Sequence, residues 1–561
     1  VVSKVLKFLN REVGAVNQAA LLLGVFTLLS QILGLVRDRL FTSTIGAGSE
    51  LDIYYASFQV PDIIFNLIAT LVSVTVILPV LIKMINKDGN EKSFAFFSQV
   101  FTSFFVLVIG VSVVAYFLLP TIAPIVAPGF TPEQILELVH VSRIVLLSPI
   151  ILGISNLFGS VTQMMRRFVL FAISPLLYNI GIIVGIVFFY KIFGLIGLAY
   201  GVVLGSLLHA VIQIPALIQD KMFPKFVRIR DWAMIKSMAL ISLPRTFGLV
   251  INSLTLLVLI AFATTIQEGA VSIFRLSMNL QNVPLALIGA SFSVAAFPTL
   301  ARNFSDGRTK EFIENIQNAA RQIIFWSIPL TILFVVLRAQ IVRVILGSQA
   351  FSWDDTRLAA ATLAMFVISV TAQSLILLFT RAFYATGDTR QPVFINFISA
   401  FITIGFSLLI SYGYQQSTVI QDIITQVLRI EGVSGVRVVM LASAYSLGSI
   451  LNALVLILMF KRRHLKDNHL ALWRTFSESL LGSLVIGLTA YVTLNVTDSL
   501  FNLNSFGGIF GQGALSGIFA LVIGGWIFYL LDNKEFLGVK NALRRKFKGI
   551  GTVPVSREDV W

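Results

Sequence analysis

Apolar runs longer than about 18 residues follow one another along this chain, each able to cross a hydrocarbon core roughly 30 Å thick as a helix. The backbone must satisfy its own hydrogen bonds in lipid, so such runs predict helices rather than open strands. Breaking the sequence at its polar and Pro/Gly interruptions gives fourteen expected spans: 14–41, 52–85, 93–119, 134–165, 168–190, 194–218, 233–265, 269–302, 312–338, 355–386, 390–412, 436–460, 471–496 and 508–532. The expected fold class is an all-α polytopic membrane protein. The first run is too long for the core of a signal peptide and no small-residue cleavage site follows it, so it is read as the first span. Before it, Val1 to Glu12 reads as a basic amphipathic lead-in.

The spans repeat. Pro79-Val80-Leu81 ends the second and Pro298-Thr299-Leu300 the eighth. Pro175-Leu-Leu-Tyr-Asn179 opens the fifth and Pro392-Val-Phe-Ile-Asn396 the eleventh. Leu204-Gly-Ser-Leu-Leu-His-Ala210 in the sixth matches Leu447-Gly-Ser-Ile-Leu-Asn-Ala453 in the twelfth. The first two matches share an offset of about 218, and the third is about 25 longer, which the outer loop Ser411 to Val436 would absorb. Six spans per half bring both halves in from the same side, a parallel repeat about an axis normal to the membrane. The expected domains are an N-lobe of helices 1–6 (residues 1–231) and a pseudosymmetric C-lobe of helices 7–12 (232–468). Two extra helices (469–532) and a basic cytoplasmic tail (533–561) follow.

Charge refines this picture. Only 12% of residues are charged, half the roughly 25% of a soluble domain, yet the net charge is +15. Its placement separates nucleic-acid binding from topology. With the N-terminus inside, about 30 of the 42 Lys/Arg fall on inner loops and tails, among them Lys83, Lys87, Lys92, Arg166 and Arg167. The charge is therefore read as the positive-inside signal; no nucleic-acid partner is expected, and both termini are expected in the cytoplasm. There is no cysteine, hence no disulfide and no thiolate metal site.

The informative charges are the ones left inside the spans, where each costs roughly 2.5–3.5 kcal/mol on insertion scales and about 10–17 in simulations. Arg37, Asp38 and Arg39 close the first span, the turn Gly46-Ala-Gly48 follows, and Asp52 opens the second. Alone, this cluster is equally well read as an interfacial group snorkelling to water. Arg275, inside the eighth span beside Ser272, Ser277, Asn279, Gln281 and Asn282, tips the balance. Helical spacing puts Arg275, Asn279 and Asn282 on one face, suited to a water-filled cavity. Asp62 and Asn66, Arg143 and Asn156, Arg245 and Asn252, and Gln373 are further polar positions in spans. For a lone Asn or Gln, bonding between helices is the plainer role. A cavity richer in guanidinium than carboxylate selects anions, and the guanidinium fork matches phosphate oxygens.

Enzymatic motifs are absent. No Gly-rich loop ends in Gly-Lys-Ser/Thr, no His/Asp/Glu cluster has metal spacing, and His464 and His469 sit in a basic loop where they are expected to be solvated. No catalytic residue, cofactor or metal is expected.

Three stretches resemble a known family. They are Ser30-Gln-Ile-Leu-Gly-Leu-Val-Arg37-Asp38 with Gly46-Ala-Gly48 and Asp52, then Leu243-Pro-Arg-Thr-Phe-Gly248, then Arg381-Ala-Phe-Tyr-Ala-Thr-Gly-Asp-Thr-Arg-Gln-Pro392. Together they resemble the MurJ (MviN) family of lipid II flippases, in the MOP exporter superfamily, over nearly the whole chain. The resemblance implies two six-helix lobes around a cationic cavity, with helices 13 and 14 forming a groove for a lipid tail. It implies a bacterial inner-membrane flippase that moves an undecaprenyl-pyrophosphate-linked disaccharide-peptide from inner to outer leaflet by alternating access, without ATP hydrolysis. Arg37, Asp38, Asp52 and Arg275 correspond by motif position to functional residues of that family. The expected substrate-binding set is Arg37, Arg275, Arg245 and Asn279, with Asp38, Asp52 and Arg39 orienting and gating. Membrane lipids are expected partners, and a cell-wall synthesis complex is a candidate one.

The chain also departs from the family. It has Gln31 where an arginine is common, and Pro61-Asp-Ile-Ile-Phe65-Asn66 where the family reads Pro-Asn-Leu-Leu followed by one or two arginines. The family's glutamate-glycine pair is replaced near Ala69 to Leu71. Some members bind sodium through carboxylates on helices seven and eleven; neither span here has Asp or Glu, so no such site is expected. The alternatives that stay open are an exporter of another anionic lipid-linked oligosaccharide, a MATE-like cation-coupled exporter, and a non-transporting cell-wall scaffold.

Overall fold

The structure, a computed structural model, describes residues 16–68, 74–465, 470–503 and 505–547. The N-terminal lead-in, the segment Ala69 to Leu71, His469 and the tail beyond 547 lie outside the described residues.

Every regular element among the described residues is helical. The principal helices of the first half are α1 (Val16–Thr44), α2 (Ser49–Ser57), α3 (Gln59–Ile68), α4 (Val74–Val126), α5 (Pro132–Val145), α6 (Leu147–Met164), α7 (Phe168–Val184) and α8 (Leu195–Val211). The second half has α9 (Trp232–Thr264), α10 (Ala270–Pro284), α11 (Ser291–Ser305), α12 (Thr309–Val336), α13 (Trp353–Val367), α14 (Val370–Ala385), α15 (Arg390–Gln416), α16 (Thr418–Leu428) and α17 (Arg437–Phe460). The chain then adds α18 (Trp473–Val496), α19 (Phe506–Leu530) and α20 (Lys534–Phe547).

Among the described residues, eleven helices are long and apolar enough to cross a membrane, or twelve when the bent pair α13 and α14 is one span, against the fourteen expected. The expected spans outside the eleven are the first, the second, which crosses residues 69–73 outside the described set, and the tenth. The first expected span is one helix, α1, of 29 residues that carries Arg37, Asp38 and Arg39 near its end. The second is divided at Phe58 into α2 and α3, and the tenth bends by 41° between Val367 and Val370. α4 contains a true break at Gly89, whose φ of +81° suits a residue without a Cβ. The extended outer loop holds its own helix, α16.

Two compact units emerge. Unit 1 comprises residues 1–283, 345–366 and 388–452, and unit 2 residues 284–344, 367–387 and 453–561. Within unit 2, Phe325 and Leu333 of α12 pack with Ile486 and Ala490 of α18 and with Ala520 and Phe528 of α19. His464, expected in solvent, instead packs against the rings of Phe383 and Phe460, because the last turn of the preceding helix continues as a π-turn over Lys461–Leu465.

In unit 1 the pair α7 and α8 meets through small residues. A Cβ built on Gly201 would come within 2.5 Å of the Cα of Gly185, and one on Gly181 closer still to the Cα of Gly205. Spacing by four residues puts these glycines on one helix face, so the backbones approach where lipid offers no hydrophobic push. Gly201→Leu is expected to destabilise the folded protein by about 1–3 kcal/mol through overpacking. Thermal unfolding in detergent checks this; an unshifted midpoint would contradict the close packing.

Candidate functional site

α10 presents three polar side chains at successive turns of one face, Ser272, Arg275 and Asn279. Each is met by a different aspartate from the first three helices.

Asn279 Nδ2 donates to Asp38 Oδ2 at 3.0 Å. The other oxygen of Asp38 accepts from Arg37, from Nε at 3.0 Å and from Nη2 at 2.8 Å. Arg37 Nη1 in turn donates to Asn179 Oδ1 of α7 at 3.0 Å. Asn179 is held by its own amide, which donates to the Pro175 carbonyl at 3.2 Å and to Ser30 Oγ at 3.4 Å. Asp38 is 2% exposed at its side chain and Arg37 21%, so the carboxylate is a buried support and Arg37 is the more open of the two.

Ser272 meets Asp52. Asp52 Oδ2 accepts from the Gly269 N–H at 2.7 Å, and Oδ1 from the Ser272 N–H at 2.7 Å and its hydroxyl at 2.5 Å. These amides belong to the first turn of α10, where unpaired N–H groups favour a negative charge. A residue of the first half thus caps a helix of the second. Gly269 can serve because its φ is +85°, and its position lies tight against Ala47, so a side chain there would collide with backbone. The same end of unit 1 is tied further by Gln134, which donates to Ser49 Oγ at 2.6 Å and to Glu268 Oε1 at 3.3 Å, and by the Gly129 N–H on Thr264 Oγ1 at 3.2 Å. Ser348 Oγ reaches the Thr42 carbonyl at 2.8 Å. This end is closed.

Arg275 meets Asp62. Its Nη2 lies 3.9 Å from Asp62 Oδ2, and among the described residues its buried Nε has no hydrogen-bond partner. Tyr55, packed with Phe41 and Tyr54, lies within electrostatic reach of Arg37, Asp38 and Arg275 alike. Arg37 and Arg275 are therefore tied into one polar cluster, Arg37 through Asp38 to Asn279 and Arg275 one turn away on the same helix face.

The remaining expected residues fall elsewhere. Arg39 is partly buried on α1 and its carbonyl accepts from Thr42 Oγ1 at 3.0 Å. Arg245 lies in α9 and its side chain is outside the described residues. Ser277 turns away from the cluster to the Ala359 carbonyl at 3.1 Å, Asn282 is exposed, and Arg143 stacks on Tyr116 with its guanidinium carbon 4.4 Å from the ring centre. Gln373 bonds locally to Ser369 Oγ at 2.8 Å. Asn179 was visible only as a member of the repeated Pro-x-x-x-Asn stretch. Its counterpart Asn396 bonds Asn452 at 3.0 Å, so the two halves have put the same position to different uses.

Multi-pass helical architecture of this kind is shared with exporters of the MOP superfamily. An inward-facing multidrug resistance MATE family transporter of that superfamily superposes with a TM-score of 0.62 at 15% identity, over 78% of this chain and 95% of its own. A lipid II flippase MurJ in an inward closed conformation superposes with a TM-score of 0.72 at 19% identity, over 91% of this chain and all of its own. The family profile described as lipid II flippase MurJ matches residues 41–510, and the chain belongs to that family. Relatives include the probable lipid II flippase MurJ of Buchnera aphidicola, 27% identical over 65% of this chain and 73% of the relative. That of Haemophilus influenzae is 28% identical over 69% and 80%, and the lipid II flippase MurJ of Burkholderia cenocepacia 24% over 67% and 74%.

Proposed function

We propose that this protein carries lipid II, a diphosphate-linked peptidoglycan precursor, from the inner to the outer leaflet of a bacterial cytoplasmic membrane by alternating access. The observation that carries the reading is the linked set Arg37, Asp38, Asn279 and Arg275, which joins α1 to α10 and gathers two guanidiniums in one polar cluster. In that reading Arg37 and Arg275 take the diphosphate oxygens, helped by Asn279 and Arg245. Asp38 fixes the Arg37 fork, Asp52 latches the outer end shut, and Arg39 supports that end. The bodies that rock are residues 1–231 and 232–468, with both termini in the cytoplasm. The polyprenyl tail stays in lipid beside α18 and α19, and cell-wall polymerising enzymes are candidate partners on the outer side.

The energetics suit outward movement. A diphosphate carrying two negative charges gains about 4.6 kcal/mol per 100 mV on leaving a negative interior, from about 2.3 per charge. A cycle reset by membrane potential then needs no ATP.

Charge reversal is the test. In cells depleted of their own lipid II flippase, the wild-type gene is expected to restore growth and Arg275→Glu to fail despite normal membrane levels. Rescue by Arg275→Glu would favour a scaffold. Failure of the wild type to rescue would point to another anionic lipid-linked sugar or to a cation-coupled exporter.

A further inference from the structure

The three aspartates that meet α10 are not equivalent. Both oxygens of Asp38 and both of Asp52 are hydrogen-bonded, and both residues are 1% exposed. Asp62 differs on each count. Its side chain is half exposed, and its approach to Arg275 at 3.9 Å is beyond hydrogen-bond distance. On the other side of the pair, Arg275 keeps a buried Nε with no hydrogen-bond partner among the described residues and a side chain 18% exposed. For a fork that can donate five hydrogen bonds, the contact with Asp62 is a loose hold. Asp62 sits on the short helix α3, whose Asn66 donates to Ser253 Oγ of α9 at 2.8 Å, so the carboxylate is carried on a fixed element rather than a loop.

We propose that Asp62 is a built-in counter-anion, which neutralises Arg275 in the empty site and gives it up to the diphosphate of the arriving cargo. The proposal rests on the diphosphate reading above. A fixed carboxylate keeps the desolvated guanidinium from standing alone between cycles. It also competes with the cargo, so it weakens binding and eases release; a carrier that bound its cargo too tightly would not let go on the far side. A contact this loose and this exposed is worth only about 1.5-fold to fivefold in an equilibrium constant.

The test uses the full chain in lipid nanodiscs with a short polyprenyl diphosphate as the probe, and compares Kd for wild type, Asp62→Asn, Arg275→Ala, Arg37→Ala and the double variant Asp62→Asn/Arg275→Ala. Asp62→Asn keeps shape and removes charge; a thermal midpoint near that of wild type confirms that it folds. The expected result is tighter binding by Asp62→Asn, about 1.5-fold to fivefold, with most of the gain lost when Arg275 is already alanine. Loss of a merely structural contact would not tighten binding. Weaker binding by Asp62→Asn, with Arg275→Ala and Arg37→Ala also weak, would make Asp62 an orienting partner and overturn the proposal while leaving the diphosphate site intact. An equal gain in both backgrounds would reduce Asp62 to general repulsion and also overturn it. No effect of Arg275→Ala or Arg37→Ala would remove the diphosphate site and the counter-anion together.

Discussion

Arg37→Ala is expected to reduce lipid II binding by roughly 30- to 5,000-fold and to abolish growth rescue. The range corresponds to about 2–5 kcal/mol for truncating one member of a buried, hydrogen-bonded charge pair. Two losses combine. The guanidinium disappears, and with it a fork matched to phosphate oxygens. Its removal also strips Asp38 Oδ1 of both its donors, leaving Asn279 as the remaining partner of a nearly buried carboxylate. That uncompensated negative charge then faces an anionic cargo. Arg37→Lys separates the two effects. It restores a cation beside Asp38 but cannot reach Asp38 and Asn179 with one planar group, so partial binding is expected. Wild-type affinity in Arg37→Ala would contradict this role.

Asp52→Asn is expected to open the latched end. The native carboxylate accepts three hydrogen bonds, from Gly269, from the Ser272 amide and from the Ser272 hydroxyl. An asparagine retains one accepting oxygen and turns an NH2 toward one of these donors, so at least one charge-assisted bond is lost and a donor faces a donor. Hydrogen bonds to a charged group contribute about 1.5–3 kcal/mol each, which puts the loss near 2–4 kcal/mol and the shift in the closed-to-open ratio near 30- to 900-fold. The chain has no cysteine, so one introduced thiol reports cleanly. Ala270 is fully buried at the start of α10, directly beneath the latch. A cysteine at this position is expected to react slowly with a membrane-impermeant maleimide in the parent and much faster in Asp52→Asn. Equal rates would show that Asp52 does not hold this end shut.

The helical fold was legible because lipid makes apolar length and helix formation nearly the same statement. What the apolar pattern did not show were the bends. α2 gives way to α3 at Phe58, where Pro61 has no N–H to donate to the Ser57 carbonyl, and α13 gives way to α14 near Ile368 and Ser369, where no proline or glycine marks the bend. At the site, Arg37, Asp38 and Arg275 stood out because charge inside an apolar run is expensive. The partner of Asp52 was hidden because two of its three donors are backbone N–H groups, which every residue but proline carries. Asn179 was hidden for the opposite reason: amides between membrane helices are common, and nothing in the sequence marks the one that steadies Arg37. Pairing of Asp62 with Arg275 needed the fold, since the two are more than two hundred residues apart.

Whether Arg37 and Arg275 grip the same diphosphate is read most directly from a double-mutant cycle on lipid II binding in nanodiscs, with Arg37→Ala, Arg275→Ala and the two combined. Side chains that share one ligand group are expected to couple, so the double variant should lose about 1–3 kcal/mol less than the sum of the singles. Losses that add in full would place the two arginines on separate ligand groups and contradict a shared diphosphate site.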